Sequence, residues 1–284
     1  MGLILTLSCL DRPGIVAAVS GFLAEQQFNI RESGQFSAAE TGLFFMRVTF
    51  DDISGSRRVV EDVRAAFAHV AAPFGMTWAI HDEGARQRVL IMVSKFGHCL
   101  NDLLYRYSIG ALPIEIPAIV SNHREWYQRA AVHNIPYHHI PVTHDNKAAQ
   151  EQRLRDIIRD EKIDLVVLAR YMQVLSPELC ADLQGRVINI HHSFLPSFKG
   201  AAPYSQAHAR GVKLIGATAH YVTSDLDEGP IIEQEVARVD HAYSPERLAA
   251  QGRDIESLVL ARAVGYHAEH RIFINGSKTV IFRG

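Results

Sequence analysis

The sequence predicts an α/β chain of two domains: a ferredoxin-like βαββαβ unit, then a doubly wound, mainly parallel sheet. Three observations carry this. Residues 1–82 alternate strand-like and helix-like runs in the order β-α-β-β-α-β. From residue 88 onward, apolar strands alternate with helical runs, the pattern of a parallel sheet covered on both faces. Between them lies the short polar stretch Asp82-Glu83-Gly84-Ala85-Arg86, which has the composition of a domain connector. The expected domains are therefore 1–82 and 83–284, and 284 residues at 48% hydrophobic composition allow each its own core.

Residues 3–8 read as the first strand. In residues 13–25, Ile15, Val16, Val19, Phe22 and Leu23 have the spacing of one buried helical face, and Pro13 suits a first turn, where an N–H has no partner. Strands follow at 28–36 and 43–50 around the turn Glu40-Thr41-Gly42, then a helix from about 57–72 and a strand at 76–81. The second domain is expected to run strand 89–94, helix 98–108, strand 114–121, helix 125–132, short strand 137–141, helix 147–161, strand 164–168 and strand 186–191. A helix at 203–210, a strand at 214–222, a helix at 245–269 and a hairpin turning at Asn275-Gly276 complete the pattern; Asn-Gly is a strong type I′ signal. Ligands of such a sheet bind at the carboxyl ends of its strands.

At one of those ends stands Asn189-Ile190-His191, and further on the tight loop Asp227-Glu228-Gly229-Pro230. Side chains alternate along a strand, so Asn189 and His191 are expected on one face and His192 on the other. An amide and an imidazole can stabilise a developing oxyanion, while a carboxylate orients the imidazole or takes a proton from water. Strand asparagines are often merely satisfied amides, so the trio alone does not make a site.

The blocks around it do resemble a known family. Asn189-Ile190-His191-His192-Ser193-Phe194-Leu195-Pro196, Gly200-Ala201-Ala202-Pro203 and Leu226-Asp227-Glu228-Gly229-Pro230 are similar to the signature of the folate-dependent formyltransferase fold, over a stretch from about residue 87 to the C-terminus. The resemblance implies catalytic places for Asn189, His191 and Asp227. It also implies a folate pocket involving Arg170, Met172, Gln173, Val174, Leu175, His220 and Thr223. Residues 1–82, with Asp11-Arg12-Pro13-Gly14-Ile15 and Asn29-Ile30, resemble an ACT domain. That likeness implies pairing into a homo-oligomer, a dimer or tetramer, and an amino-acid effector near Asp11, Gly14, Ile15, Asn29 and Ile30. Glycine and methionine are the candidates.

Within the fold group, members that formylate a phosphorylated amine carry a Gly-rich phosphate loop after the first strand. Here Ser94-Lys95-Phe96-Gly97-His98-Cys99 has one glycine and bulky neighbours. An ACT-like domain before a formyltransferase-like one resembles instead the deformylase branch. This implies hydrolysis of 10-formyltetrahydrofolate to tetrahydrofolate and formate, a hydrolase reaction on a linear amide C–N bond that supplies formate for purine synthesis and balances the one-carbon folate pool. Asp227 is expected to deprotonate the water, with Asn189 and a protonated His191 on the oxyanion.

Rival readings are an amine formyltransferase and a non-catalytic folate or amino-acid sensor. A metal hydrolase is a third rival, suggested by fifteen histidines but lacking His-Glu-x-x-His or Cys-x-x-Cys spacing. No prosthetic group and no metal are expected. A net charge of −2 offers no footprint for a nucleic-acid backbone. Cys9, Cys99 and Cys180 look like reduced packing residues, no apolar run is long enough to span a membrane, and a cytoplasmic enzyme is expected. The first six residues loosely fit a myristoylation or signal pattern but lack a basic flank and pass directly into a turn, so they are expected to form a buried strand.

Overall fold

The computed structural model describes residues 2–55, 58–195 and 203–284. The expected helix start at Arg57 and the motif residues Pro196, Gly200, Ala201 and Ala202 lie outside them. The chain forms two compact units. One holds the chain to Arg86 together with Glu269–Asn275 and Val280–Gly284; the other holds Gln87–Ala268 and Gly276–Thr279. The tail is thus divided between them, with Gly276–Thr279 in the second unit and the residues on either side of it in the first.

In the first unit, β1 (Gly2–Leu10), α1 (Ile15–Glu25), β2 (Phe28–Ala38), β3 (Leu43–Asp52), α2 (Val60–Ala71) and β4 (Thr77–Asp82) form an antiparallel sheet of order β2-β3-β1-β4. Leu5, Leu7, Val48, Phe50 and Ile80 of the sheet bury against Val19, Leu23 and Phe67 of the helices. β3 is buried on both faces: Phe45, Arg47 and Thr49 are 1%, 3% and 4% exposed. Part of that cover is the chain's own tail. Phe273 packs edge-on against Phe45, and Arg47 donates through Nε and Nη2 to the Glu269 carbonyl at 3.3 and 3.0 Å.

In the second unit, β5 (Gln87–Val93), α3 (His98–Ser108), β6 (Ile114–Ser121), α4 (Tyr127–Val132), β7 (Tyr137–His139), α5 (Lys147–Asp160), β8 (Leu165–Leu168), α6 (Pro177–Asp182) and β9 (Val187–His191) come first. α7 (Pro203–Ala209), β10 (Leu214–Tyr221), β11 (Ile231–Arg238) and α8 (Pro245–Ala268) follow, and the tail carries β12 (Ile272–Asn275) and β13 (Lys278–Ile281). The sheet order is β11-β10-β9-β8-β5-β6-β7, parallel from β7 through β9 and antiparallel at β10 and β11. Strand order reverses at β5 and β8, the position where open α/β sheets leave a crevice. β8 is wholly buried, as its unbroken Leu-Val-Val-Leu requires. Two elements, α6 and β11, are absent from the sequence reading. Among the described residues no helix is long and apolar enough to cross a membrane.

Candidate active site

Three segments wall a cleft of about 280 Å³: the chain after β8, the end of β9 and the loop after β10. The first leaves β8 through Arg170, which takes a left-handed backbone at φ 64°. Ser94 Oγ accepts from the Met172 N–H at 2.9 Å, and the Glu151 carboxylate accepts from the Ser176 N–H at 2.9 Å, pinning the segment near both ends. Tyr171 and Leu175 turn into the core; Met172 and Val174 remain 55% and 59% exposed, an apolar rim.

β9 carries Asn189 and the buried His191 on one face, and its neighbour β10 pairs His220 with Asn189 and Thr218 with His191. Asp227 returns to these strands because the loop after β10 folds back on itself. A Cβ on Gly229 would overlap the Tyr221 carbonyl oxygen, so only glycine permits the approach. Asp227 itself sits at φ 58°, a left-handed backbone that costs a non-glycine residue energy and tends to cluster at functional sites.

The carboxylate then lies between two imidazoles, with Oδ2 3.2 Å from His191 Nδ1 and Oδ1 3.6 Å from His220 Nε2. The hydrogen bond from His191, with the His220 imidazole alongside, holds the Asp227 carboxyl far below the usual carboxylate range against the opposing effect of burial. His220 donates its Nδ1–H to the Tyr221 carbonyl at 2.8 Å, so its Nε2 faces Asn189 Nδ2 at 3.3 Å. His191 Nε2 is buried and has no hydrogen-bond partner among the described residues. It is the atom of the trio left for chemistry.

His192 departs from the expected alternation. β9 ends at His191, so the rule for strand faces no longer applies at residue 192. Its ring stacks on His191 with centroids 4.8 Å apart and planes 21° apart, and it lines the same cleft. Arg170 is likewise not free for ligand: its Nη1 donates to His192 Nδ1 at 2.7 Å and its Nε lies 3.4 Å from Glu256 Oε2. Sequence reasoning missed His192, Glu256, His98 and Tyr204. Glu256 left a signal, a lone carboxylate on the stripe Gly252, Val259, Leu260 and Ala263 that α8 buries.

Donor atoms of His98, Cys99 and Glu256 lie within 4.8 Å of one another, the one group among the described residues with metal-like spacing. The Arg170 guanidinium already sits against its carboxylate, and burial pushes the Cys99 thiol up beyond the usual range, so this donor set does not suit a cation. The His138, His139 and His144 cluster forms no such group among the described residues.

The expected effector residues do not meet within one chain. Asp11 follows Leu10, which pairs with Leu43, whereas Asn29 pairs with Asp51, so the two lie at opposite ends of β3, roughly 26 Å apart at the ordinary strand rise. Ile15 is 2% exposed and belongs to the core.

Family models match in both units, "Formyl transferase" over residues 87–264 and "ACT domain" over 3–68. A formyltetrahydrofolate deformylase from Corynebacterium sp. (strain P-1) is 50% identical over 99% of this chain and 98% of its own, and one from Bacillus subtilis (strain 168) is 48% identical over 98% and 93%. The chain belongs to the formyltetrahydrofolate deformylase family. The crystal structure of a deformylase from Burkholderia mallei ATCC 23344 superposes with a TM-score of 0.95 at 54% identity, covering 99% of each chain. A glycinamide ribonucleotide transformylase from Symbiobacterium toebii matches 70% of this chain and 95% of its own at 29% identity, TM-score 0.66. The full-length likeness is thus to deformylases and the partial one to a transferase.

Proposed function

We propose that the cleft hydrolyses the N10-formyl group of 10-formyltetrahydrofolate with a carboxylate–imidazole pair, Asp227 and His191. The observation that carries this is the 3.2 Å contact between Asp227 Oδ2 and His191 Nδ1, beside a His191 Nε2 with no hydrogen-bond partner among the described residues. A carboxylate held far below its usual range is a poor base for water, which revises the role expected from the sequence. Its better use is to accept the His191 Nδ1–H and leave the Nε2 lone pair for proton transfer.

Water attacks the formyl carbon as its proton passes to His191 Nε2, giving a tetrahedral intermediate with one hydroxyl and one oxyanion. Asn189 spends one amide N–H on His220 and has the other for that oxyanion. The proton on Nε2 then goes to N10, the C–N bond breaks, and tetrahydrofolate leaves with formic acid, which loses its proton to solvent as formate. Met172, Gln173, Val174 and Leu175, with Thr223 at the far wall, line the space for the pterin and its aryl amine. No metal takes part in these steps.

Carried out in H2¹⁸O, the reaction should yield formate with one labelled oxygen. Unlabelled formate, or formyl transfer to an added amine in preference to water, would refute the reading.

The enzyme's proposed location is the cytoplasm, supported by three buried, unpaired cysteines. A homo-oligomer is supported by β2, a long edge strand with Ile30 and Phe36 38% and 48% exposed. An amino-acid effector touching both the Asp11–Gly14 turn and Asn29-Ile30 needs two copies, one segment from each.

A further inference from the structure

Two stacked imidazoles line the cleft, and the proposed hydrolysis uses only His191. Its neighbour is held by a network that packing does not demand. Glu256, 1% exposed in the middle of α8, receives the Tyr204 hydroxyl at 2.7 Å and pairs with His98 Nε2 at 2.7 Å and with Arg170 Nε at 3.4 Å. Gly252, one turn earlier on α8, leaves room for Tyr204, since a Cβ there would overlap the hydroxyl. Burying such charges is expensive, and an apolar cluster of the same volume is often at least as stable. The network therefore invites a use.

That use is legible at His192. A guanidinium has five donors and no acceptor, so the 2.7 Å contact from Arg170 Nη1 requires a lone pair on His192 Nδ1. A neutral ring with that lone pair carries its proton on Nε2. His192 Nε2 is buried and without a hydrogen-bond partner among the described residues, the usual mark of a group awaiting something else. Resting on the hydrolytic reading above, we infer that His192 is a further catalytic residue: its Nε2–H donates to the formyl oxygen as that oxygen becomes an oxyanion, while Arg170 and Glu256 are positioning residues that fix the tautomer. The charges facing the ring are Arg170, His191, Glu256 and Asp227. Burial first, then Arg170 and His191, lower its pKa to about 4, so the ring stays a neutral donor at working pH.

The test compares kcat, KM and tetrahydrofolate affinity for the full chain and its variants. His192→Phe keeps the ring stack and loses the N–H; His192→Gln keeps an N–H donor. We expect His192→Phe to lower kcat on the order of a hundredfold, with tetrahydrofolate affinity within about threefold, and His192→Gln to recover roughly a tenth of the wild-type rate. ¹⁵N spectra of histidine-labelled protein supply a second readout: wild type should show His192 as the neutral Nε2–H form from pH 8 to 5, and Arg170→Met should admit the other tautomer. A kcat for His192→Phe within threefold of wild type overturns the inference while leaving the hydrolysis intact. So does an Nδ1–H His192 in the wild-type spectrum, which decides the matter even if the Phe variant fails to fold. If wild type releases no formate, the hydrolytic reading fails and the inference falls with it.

Discussion

His191 and His192, adjacent in sequence and stacked 4.8 Å apart, face opposite partners through the same ring atom: Nδ1 of His191 meets a carboxylate, Nδ1 of His192 a guanidinium. Opposite partners impose opposite proton positions. One ring keeps a lone pair on Nε2, fit for taking a proton, and the other keeps a hydrogen there, fit for donating one.

Replacing Asp227 by Asn should lower kcat on the order of a hundredfold or more, because an amide no longer fixes the Nδ1–H form of His191. Folate affinity should stay within a few fold, since the side chain keeps its shape. Steady-state kinetics with a binding titration checks both; a variant with a third of the activity would remove Asp227 from the mechanism.

His191→Ala should cost roughly two to three orders of magnitude in kcat, as loss of the transferring group does. Thermal unfolding within a few degrees of wild type would show that the loss is chemical.

Gly229→Ala tests the loop. Its added methyl overlaps the Tyr221 carbonyl, so the loop must move and carry Asp227 away from His191. Activity should drop by about tenfold or more while the chain stays folded, because small displacements of a reacting group are costly. Full activity with an unshifted loop in a crystal structure of the variant would contradict this.

Three half-buried histidines predict the response to acid. His81, His192 and His267 are each lowered to about 4, in every case chiefly by burial. In the unfolded chain they titrate near 6.5, so that state binds protons first. Stability is therefore complete above about pH 6.5 and declines as the pH falls toward 4, with a slope of up to about 1.4 kcal/mol per pH unit for each fully buried ring. All three rings are partly exposed, so each contributes less than that. Urea unfolding at pH 7.5, 6.0 and 5.0 measures it, and unchanged midpoints would show that the rings are not buried neutral.

Hydrolysis should survive exhaustive chelation, given the guanidinium against the Glu256 carboxylate. Loss of turnover restored by a divalent ion would instead put a metal at His98 and Cys99.

Long periodic elements were legible in the sequence. α3 (His98–Ser108) and β6 (Ile114–Ser121) fall where the pattern puts them, because one buried face repeats over eight residues or more. α6 was missed because six residues show no period, although Ser176, whose Oγ accepts from the Leu179 N–H, and Pro177 form an N-cap signal. β11 was missed because Glu233, Gln234 and Glu235 interrupt its apolar residues at the sheet edge. In the site, local motifs led to Asn189, His191 and Asp227, but the facing of His192 turned on where a strand stops. The Arg170–Glu256 contact joins residues far apart in sequence, and no short motif records it.

The most direct measurement is formate release from 10-formyltetrahydrofolate by the purified chain with no amine acceptor present. One formate should appear for each tetrahydrofolate formed, with turnover abolished in Asp227→Asn. Formate that appears only when an amine is supplied, or tight folate binding with no turnover at all, would contradict hydrolysis at this cleft.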